Sequence, residues 1–175
     1  SFKLKELQKK YNFLRKGMYV VDLGAAPGGW SQVAVEYILP NGKLWALDLL
    51  EMTPIPNVQF IQGDFTDPKI VDTLIQAMGV ETKVDWILSD LAPNLTGLID
   101  VDQPKIIHLL ESVFNFSNQY LKPQGGLLVK AFQGEGIDTY VKSLKQRFSQ
   151  VLVRKPDSSR AESREIYVLA RGYNI

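Results

Sequence analysis

Short apolar runs alternate with stretches of helical periodicity from one end of the chain to the other. The runs at 18–23, 43–48, 58–62, 84–90, 126–132, 148–154 and 165–171 are of strand length and rich in Val, Leu, Ile, Tyr and Phe. Between them, 2–14, 29–38, 67–78, 103–121 and 136–147 carry the helical pattern. In the fourth of these, Ile106, Leu109, Leu110, Val113, Phe116 and Tyr120 form one stripe, which predicts a core-facing helix with His108 as a structural histidine on it. Asp67 ahead of Pro68 is a cap followed by proline in the first helical turn. Strands alternating with helices predict an α/β fold, a parallel sheet with helices on both faces. Only the last two strands lack a helix between them. The polar stretch 154–164 joins them as an antiparallel pair, so the expected sheet is Rossmann-like, seven-stranded and mostly parallel with one antiparallel strand.

The first strand empties into Asp22-Leu-Gly24-Ala-Ala-Pro27-Gly28-Gly29-Trp30, a glycine-rich turn ahead of a helix. Gly24 and Gly28 can adopt backbone angles closed to other residues and let a ligand approach the main chain. A dinucleotide fingerprint would read G-x-G-x-x-G, with pyrophosphate on the helix N-terminus. Here Ala25-Ala26-Pro27 replace the second glycine and its exposed amides, Pro27 donates no hydrogen bond, and Asp22 adds negative charge. Such a turn suits a cationic amino group better than a phosphate, which points to S-adenosylmethionine. The second and third strands also end in acids. Asp48 lies where α/β nucleotide folds hold ribose hydroxyls, and Asp64 can accept from an adenine amine. Taken singly each acid also fits a cap or a turn residue. Three in series outline one adenosine-shaped pocket.

With 175 residues, 45% of them apolar, one domain spanning 1–175 accommodates the core. No run of about 20 apolar residues suggests a membrane span. The absence of cysteine excludes disulfides and thiolate metal sites and fits a reducing compartment. No His, Asp and Glu spacing predicts a metal site. Net charge is only +1, but residues 1–16 hold six Lys/Arg against one acid and residues 142–175 hold eight against three. Residues 17–141 carry six basic and 15 acidic side chains. Two basic ends around an acidic middle suggest a polyanion docking beside the pocket, if the ends converge. The candidate contacts are Lys5, Lys9 and Lys10 in the first helix, with Arg154, Lys155, Arg160 and Arg164 in the polar stretch.

Active groups in such sheets sit beyond the carboxyl ends of the strands. Strand four ends in Ser89-Asp90-Leu91-Ala92-Pro93-Asn94, and Lys130 interrupts the apolar strand five at the same rim. A buried lysine is costly unless paired, so Asp90 and Lys130 are either a structural ion pair or a reactive one. Residues 22–32, 89–94, 129–136 (Val-Lys-Ala-Phe-Gln-Gly-Glu-Gly) and 154–167 resemble, in order, the motifs of the FtsJ/RrmJ family of RNA 2′-O-ribose methyltransferases. The wording is similar to its bacterial heat-shock branch, also called RlmE, and the similarity runs from Phe2 to about Gly172.

The resemblance implies a class I methyltransferase fold and a catalytic Lys-Asp-Lys-Glu tetrad at Lys3, Asp90, Lys130 and Glu165. It also implies that Gly28, Trp30, Asp48, Asp64 and Asp90 line the S-adenosylmethionine site. The implied substrate is a uridine of large-subunit ribosomal RNA on assembled subunits, and the implied enzyme is a monomer in the bacterial cytoplasm, with mitochondrial relatives as the alternative. Family members carry a basic extension before the Phe-Lys-Leu motif, so such an arm is expected ahead of Ser1. Lys130 is the residue expected to touch the acceptor hydroxyl, as a base or as an orienting cation. Other readings stay open: a methyltransferase acting on another RNA, a methyltransferase for small molecules or proteins, a non-catalytic RNA-binding assembly factor, and a nicotinamide oxidoreductase.

Overall fold

The computed structural model describes residues 2–157 and 162–174. Its seven strands are β1 (Tyr19–Leu23), β2 (Lys43–Asp48), β3 (Val58–Gln62), β4 (Val84–Ser89), β5 (Leu121–Phe132), β6 (Phe148–Arg154) and β7 (Glu165–Tyr173). They form one sheet in the order β3-β2-β1-β4-β5-β7-β6, with β7 antiparallel to both its neighbours and all other pairs parallel. The helices are α1 (Phe2–Tyr11), α2 (Gly29–Ile38), α3 (Pro68–Met78), α4 (Ile99–Tyr120) and α5 (Ile137–Lys145).

Successive side chains of a strand point to opposite faces, and the apolar runs divide accordingly. Val20, Leu44, Ala46, Trp86, Leu88, Leu128 and Leu169 pack under α1 and α2. Their neighbours Val21, Trp45, Leu47, Ile87, Leu127, Val129, Val168 and Ala170 pack under α3, α4 and α5. Continuous apolar strands are what a sheet covered on both faces requires. Strand order reverses between β1 and β4, and that crevice is where open α/β sheets hold ligands.

The three largest departures from the expected boundaries are at the end of α1 and the starts of α4 and β5. α1 stops at Tyr11 rather than 14: Asn12 turns left-handed (φ 47°), and the buried Gln8 accepts from the amides of Phe13 and Leu14 and donates to the Leu14 carbonyl. α4 starts at Ile99 rather than 103, because Asp102 reaches back and accepts from the amides of Thr96 and Gly97 and from the Thr96 hydroxyl. β5 starts at Leu121 rather than 126, with a register shift against β4 that accommodates Pro123 and Gly125. At the end of that shift Gly126 lies against the Trp86 ring, where a Cβ would come within 2.3 Å of its atoms. The stripe of α4 is buried or packed on the core, but His108 lies on the exposed side of the helix and is not a core histidine.

Candidate functional site

The turn after β1 closes on its own amides. Gly24 and Ala25 donate to the Leu47 carbonyl, Ala26 donates to Asp48 Oδ2 at 2.9 Å, and Pro27 has no N–H. The amides of Gly24, Ala25 and Ala26 are therefore spent on β2. Gly24 is left-handed (φ 74°), and a Cβ there would stand 2.8 Å from the amide nitrogen of Leu91, so glycine lets the ends of β1 and β4 meet. Beneath the turn, Asp22 is fully buried. Its Oδ2 accepts from the Ser31 hydroxyl at 2.6 Å, and its Oδ1 has no hydrogen-bond partner. Burial raises its pKa from 3.8 to about 7; Ser31 lowers it, and the charges of Asp90 and Asp48 raise it further.

Beside the turn lies a cavity of about 750 Å³, lined among others by Gly24, Ala26, Asp48, Asp64, Asp90, Pro93, Asn94, Lys105 and His108. Asp48 is held by its bonds to the Ala26 and Leu50 amides. Asp64 Oδ1 accepts from the amide and hydroxyl of Thr66, which holds its carboxyl below the ordinary carboxylate range. Three carboxylates on one wall are acceptors for a ligand rich in hydroxyl and amino donors, and repel an anionic one. An adenosyl group attached to a cationic sulfur fits this set of acceptors and this volume; among the described residues no group of three or more His, Cys, Asp or Glu could hold a metal ion. Gly28 and Trp30 are not among the lining residues. Gly28 faces Met52 and Ile55, and the Trp30 ring is buried, 5.8 Å from that of Tyr167.

Around Asp90, which lines the same cavity, four charged residues from separate elements converge. Lys130 Nζ lies 2.9 Å from Asp90 Oδ1, and Lys3, from α1, pairs with Glu165 Oε1. Burial raises the Asp90 carboxyl, more than Lys130 and Lys3 lower it, with Glu165 adding to the rise. Burial also pushes Glu165 up, but hydrogen bonds from Lys3 and Tyr167 outweigh that and hold it low. Tyr167 carries no sequence signal of its own. In an apolar strand it reads as a core residue, and only its position opposite Lys130 brings it to the tetrad. Lys105 and His108, at the cavity wall, also carry no sequence signal beyond lying on α4.

The predicted basic residues divide into three groups. Lys9, Lys10, Arg154 and Lys155 line one small pocket between α1 and the end of β6, whereas Lys5 is exposed on α1 outside it. Arg164 turns the other way, donating through Nη2 to Gln103 Oε1 at 2.6 Å and through Nε to the Gln133 carbonyl. Arg160 lies outside the described residues.

Comparison with known proteins bears on the fold and the family. A provisionally named ribosomal RNA methyltransferase from Plasmodium falciparum is 34% identical, with a TM-score of 0.87 over 98% of this chain and 95% of that one. Fibrillarin from Aeropyrum pernix, solved with natively bound S-adenosyl-L-methionine, shares the fold at 16% identity, with a TM-score of 0.62 over 90% of this chain and 68% of that one. The model of the FtsJ-like methyltransferases matches residues 1–173, and the chain belongs to that family.

Proposed function

We propose that this methyltransferase moves a methyl group from S-adenosylmethionine to the 2′-hydroxyl of a uridine in large-subunit ribosomal RNA. The observation that carries the reading is the double placement of Asp90, which lines the acidic cavity and pairs with Lys130. One carboxylate thus joins a site for an adenosyl donor to a cluster able to handle a hydroxyl proton. When bound, the cofactor supplies a methyl group on a cationic sulfur. Asp48 and Asp64, which line the cavity, would accept from its ribose and adenine.

Lys130 holds the acceptor oxygen in line with the methyl group, and such orientation can contribute about 7–11 kcal/mol. As the oxygen–carbon bond forms and the carbon–sulfur bond breaks, the hydroxyl proton must leave. Asp90, whose buried carboxyl has a raised affinity for protons, takes it up. Lys3 and Glu165 fix the far side of the cluster. An RNA acceptor is supported by the basic pocket beside the tetrad and by the likeness to the Plasmodium protein.

The test is transfer of labelled methyl from S-adenosylmethionine to purified large ribosomal subunits, with the product nucleotide mapped by its resistance to alkaline cleavage. Methylation of a base, or none of any RNA, would sink the reading.

A further inference from the structure

The pocket between α1 and β6 is separate from the cofactor cavity. It measures about 230 Å³, and its lining includes four cations, Lys9, Lys10, Arg154 and Lys155, against two acids, Glu6 and Asp157, with Tyr11 between. Its cations are not all equivalent. Lys155 is committed to the backbone, donating to the carbonyls of Ser163 and Glu165. Arg154 is fixed by its Nε bond to the Tyr11 hydroxyl at 2.7 Å and its Nη1 bond to the Val153 carbonyl at 2.8 Å, with its guanidinium 5.9 Å from the Tyr11 ring centre. Arg171 anchors Tyr11 in turn by donating to its carbonyl. The Asp157 amide donates to Glu6, which ties the chain after β6 to α1. A guanidinium held this way keeps Nη2 for an incoming acceptor and has given up its rotamer freedom before any ligand arrives. Lys9 and Lys10 supply two further charges on exposed side chains.

The pocket also has a defined place relative to the tetrad. Arg154 stands opposite Tyr167 in the sheet, and Tyr167 stands opposite Lys130. The three form one row on the face covered by α1, with Arg154 and Lys130 two strand spacings apart, roughly 10 Å between Cα atoms. A polynucleotide with its reacting ribose at Lys130 passes this pocket within a nucleotide or two.

We propose that the pocket seats a backbone phosphate of the RNA flanking the reacting nucleotide, held by Arg154, Lys9 and Lys10. The proposal rests on the RNA reading above and adds a fixed anchoring point to it. A seat of this kind selects a phosphodiester chain of any sequence and sets the register in which a ribose reaches Lys130.

The test measures the salt dependence of binding to a short single-stranded oligouridylate for the wild type, Lys9→Gln/Lys10→Gln, Arg154→Gln and a control, Lys142→Gln/Lys145→Gln, which removes equal charge from α5. For every phosphate deprived of its cation, the slope of log affinity against log salt should flatten by about 0.7. The pocket variants should show this flattening and the control should keep the wild-type slope. Because Arg154→Gln also loosens Tyr11, the exposed lysine pair is the decisive variant. A wild-type slope in that pair, equal flattening in the control, or no salt-dependent binding by the wild type overturns the seat. Methyl transfer to large subunits is measured alongside. Transfer with unaltered slopes leaves the enzymatic reading standing without the seat, and flattened slopes without transfer do the reverse.

Discussion

Tyr167 donates its hydroxyl to Oε1 of Glu165 at 2.6 Å, the same oxygen that pairs with Lys3. Burial, and then Glu165 itself, raise the tyrosine's pKa, so it remains a donor throughout the working range. The two donors together keep Glu165 ionised to lower pH than burial alone would allow. In Tyr167→Phe the ring still packs against Trp30 but one donor is gone, so the Glu165 pKa should rise. The acid limb of a single-turnover rate–pH profile should move to higher pH by up to about one unit, allowing for solvent screening of a partly exposed group. An unmoved limb would remove Glu165 ionisation from the profile.

Lys130 should be the residue whose loss most damages methyl transfer while leaving cofactor binding nearly intact. Lys130→Met keeps the apolar stem that packs within the strand and removes the ammonium paired with Asp90. Orientation of the reacting groups can contribute about 7–11 kcal/mol, and losing even part of it with Lys130 should lower the rate by about a hundredfold or more. Single-turnover transfer at saturating cofactor, with folding checked by thermal melting, decides this; near-wild-type turnover would move the burden to Asp90 and Glu165.

Much of this arrangement is legible in the chain because it follows from strand ends. Asp48 and Asp64 close neighbouring parallel strands, so they must emerge at one rim. Asp90 and Lys130 lie at the ends of the adjacent β4 and β5, so their pairing follows from strand order. Lys3 and Glu165 are 162 positions apart on a helix and a strand whose contact no local pattern encodes, and only the family resemblance points to them. Tyr167 is hidden for the opposite reason, since its neighbours Ile166 and Val168 make it look like one more core residue. The start of α4 follows the bonds from Thr96 and Gly97 to Asp102, and the start of β5 the register shift against β4, neither of which periodicity registers.

Asp48 is bound twice by the protein, and its cofactor role is separable from that scaffolding by comparison with Asp64. Asp48→Ala should lose a ribose acceptor and also free the Ala26 amide from its anchor. Asp64 is held only by Thr66, just two residues along, so Asp64→Ala leaves the first turn in place. Losing a charge-assisted hydrogen bond costs roughly 1.5–3 kcal/mol. Calorimetry should therefore show weaker S-adenosylmethionine binding in both variants, with a lower melting temperature in Asp48→Ala. Unchanged affinity in either one removes that acid from the site.

Arg164 behaves as a structural cation. Its guanidinium satisfies Gln103, which is 3% exposed and donates to the carbonyls of Phe132 and Glu135, so α4 is tied to the loop after β5. Arg164→Ala leaves the Gln103 carbonyl oxygen without that donor, a loss of about 1–3 kcal/mol. Thermal melts should show destabilisation, non-additive with Gln103→Ala, while the salt slope of oligouridylate binding stays at the wild-type value. A flattened slope at full stability would return Arg164 to the RNA surface.

Asp22 offers a test in which folding and pH are linked. Its carboxyl keeps its proton in the folded protein up to about pH 7, whereas in the unfolded chain it ionises near 3.8. A raised carboxylic pKa stabilises the fold fully only below the unfolded value, and that contribution disappears as pH rises through the folded value. The difference corresponds to roughly 4 kcal/mol in all for a group this buried. Asp22→Asn keeps an acceptor for Ser31 and cannot ionise, so it escapes the loss. Without cofactor, the variant should gain on the wild type by roughly 2–3 kcal/mol between about pH 5 and about pH 8, with no further gain above that. A stability difference flat across pH would mean that Asp22 is ionised in the fold throughout, and that the turn tolerates a buried charge beside Asp48 and Asp90.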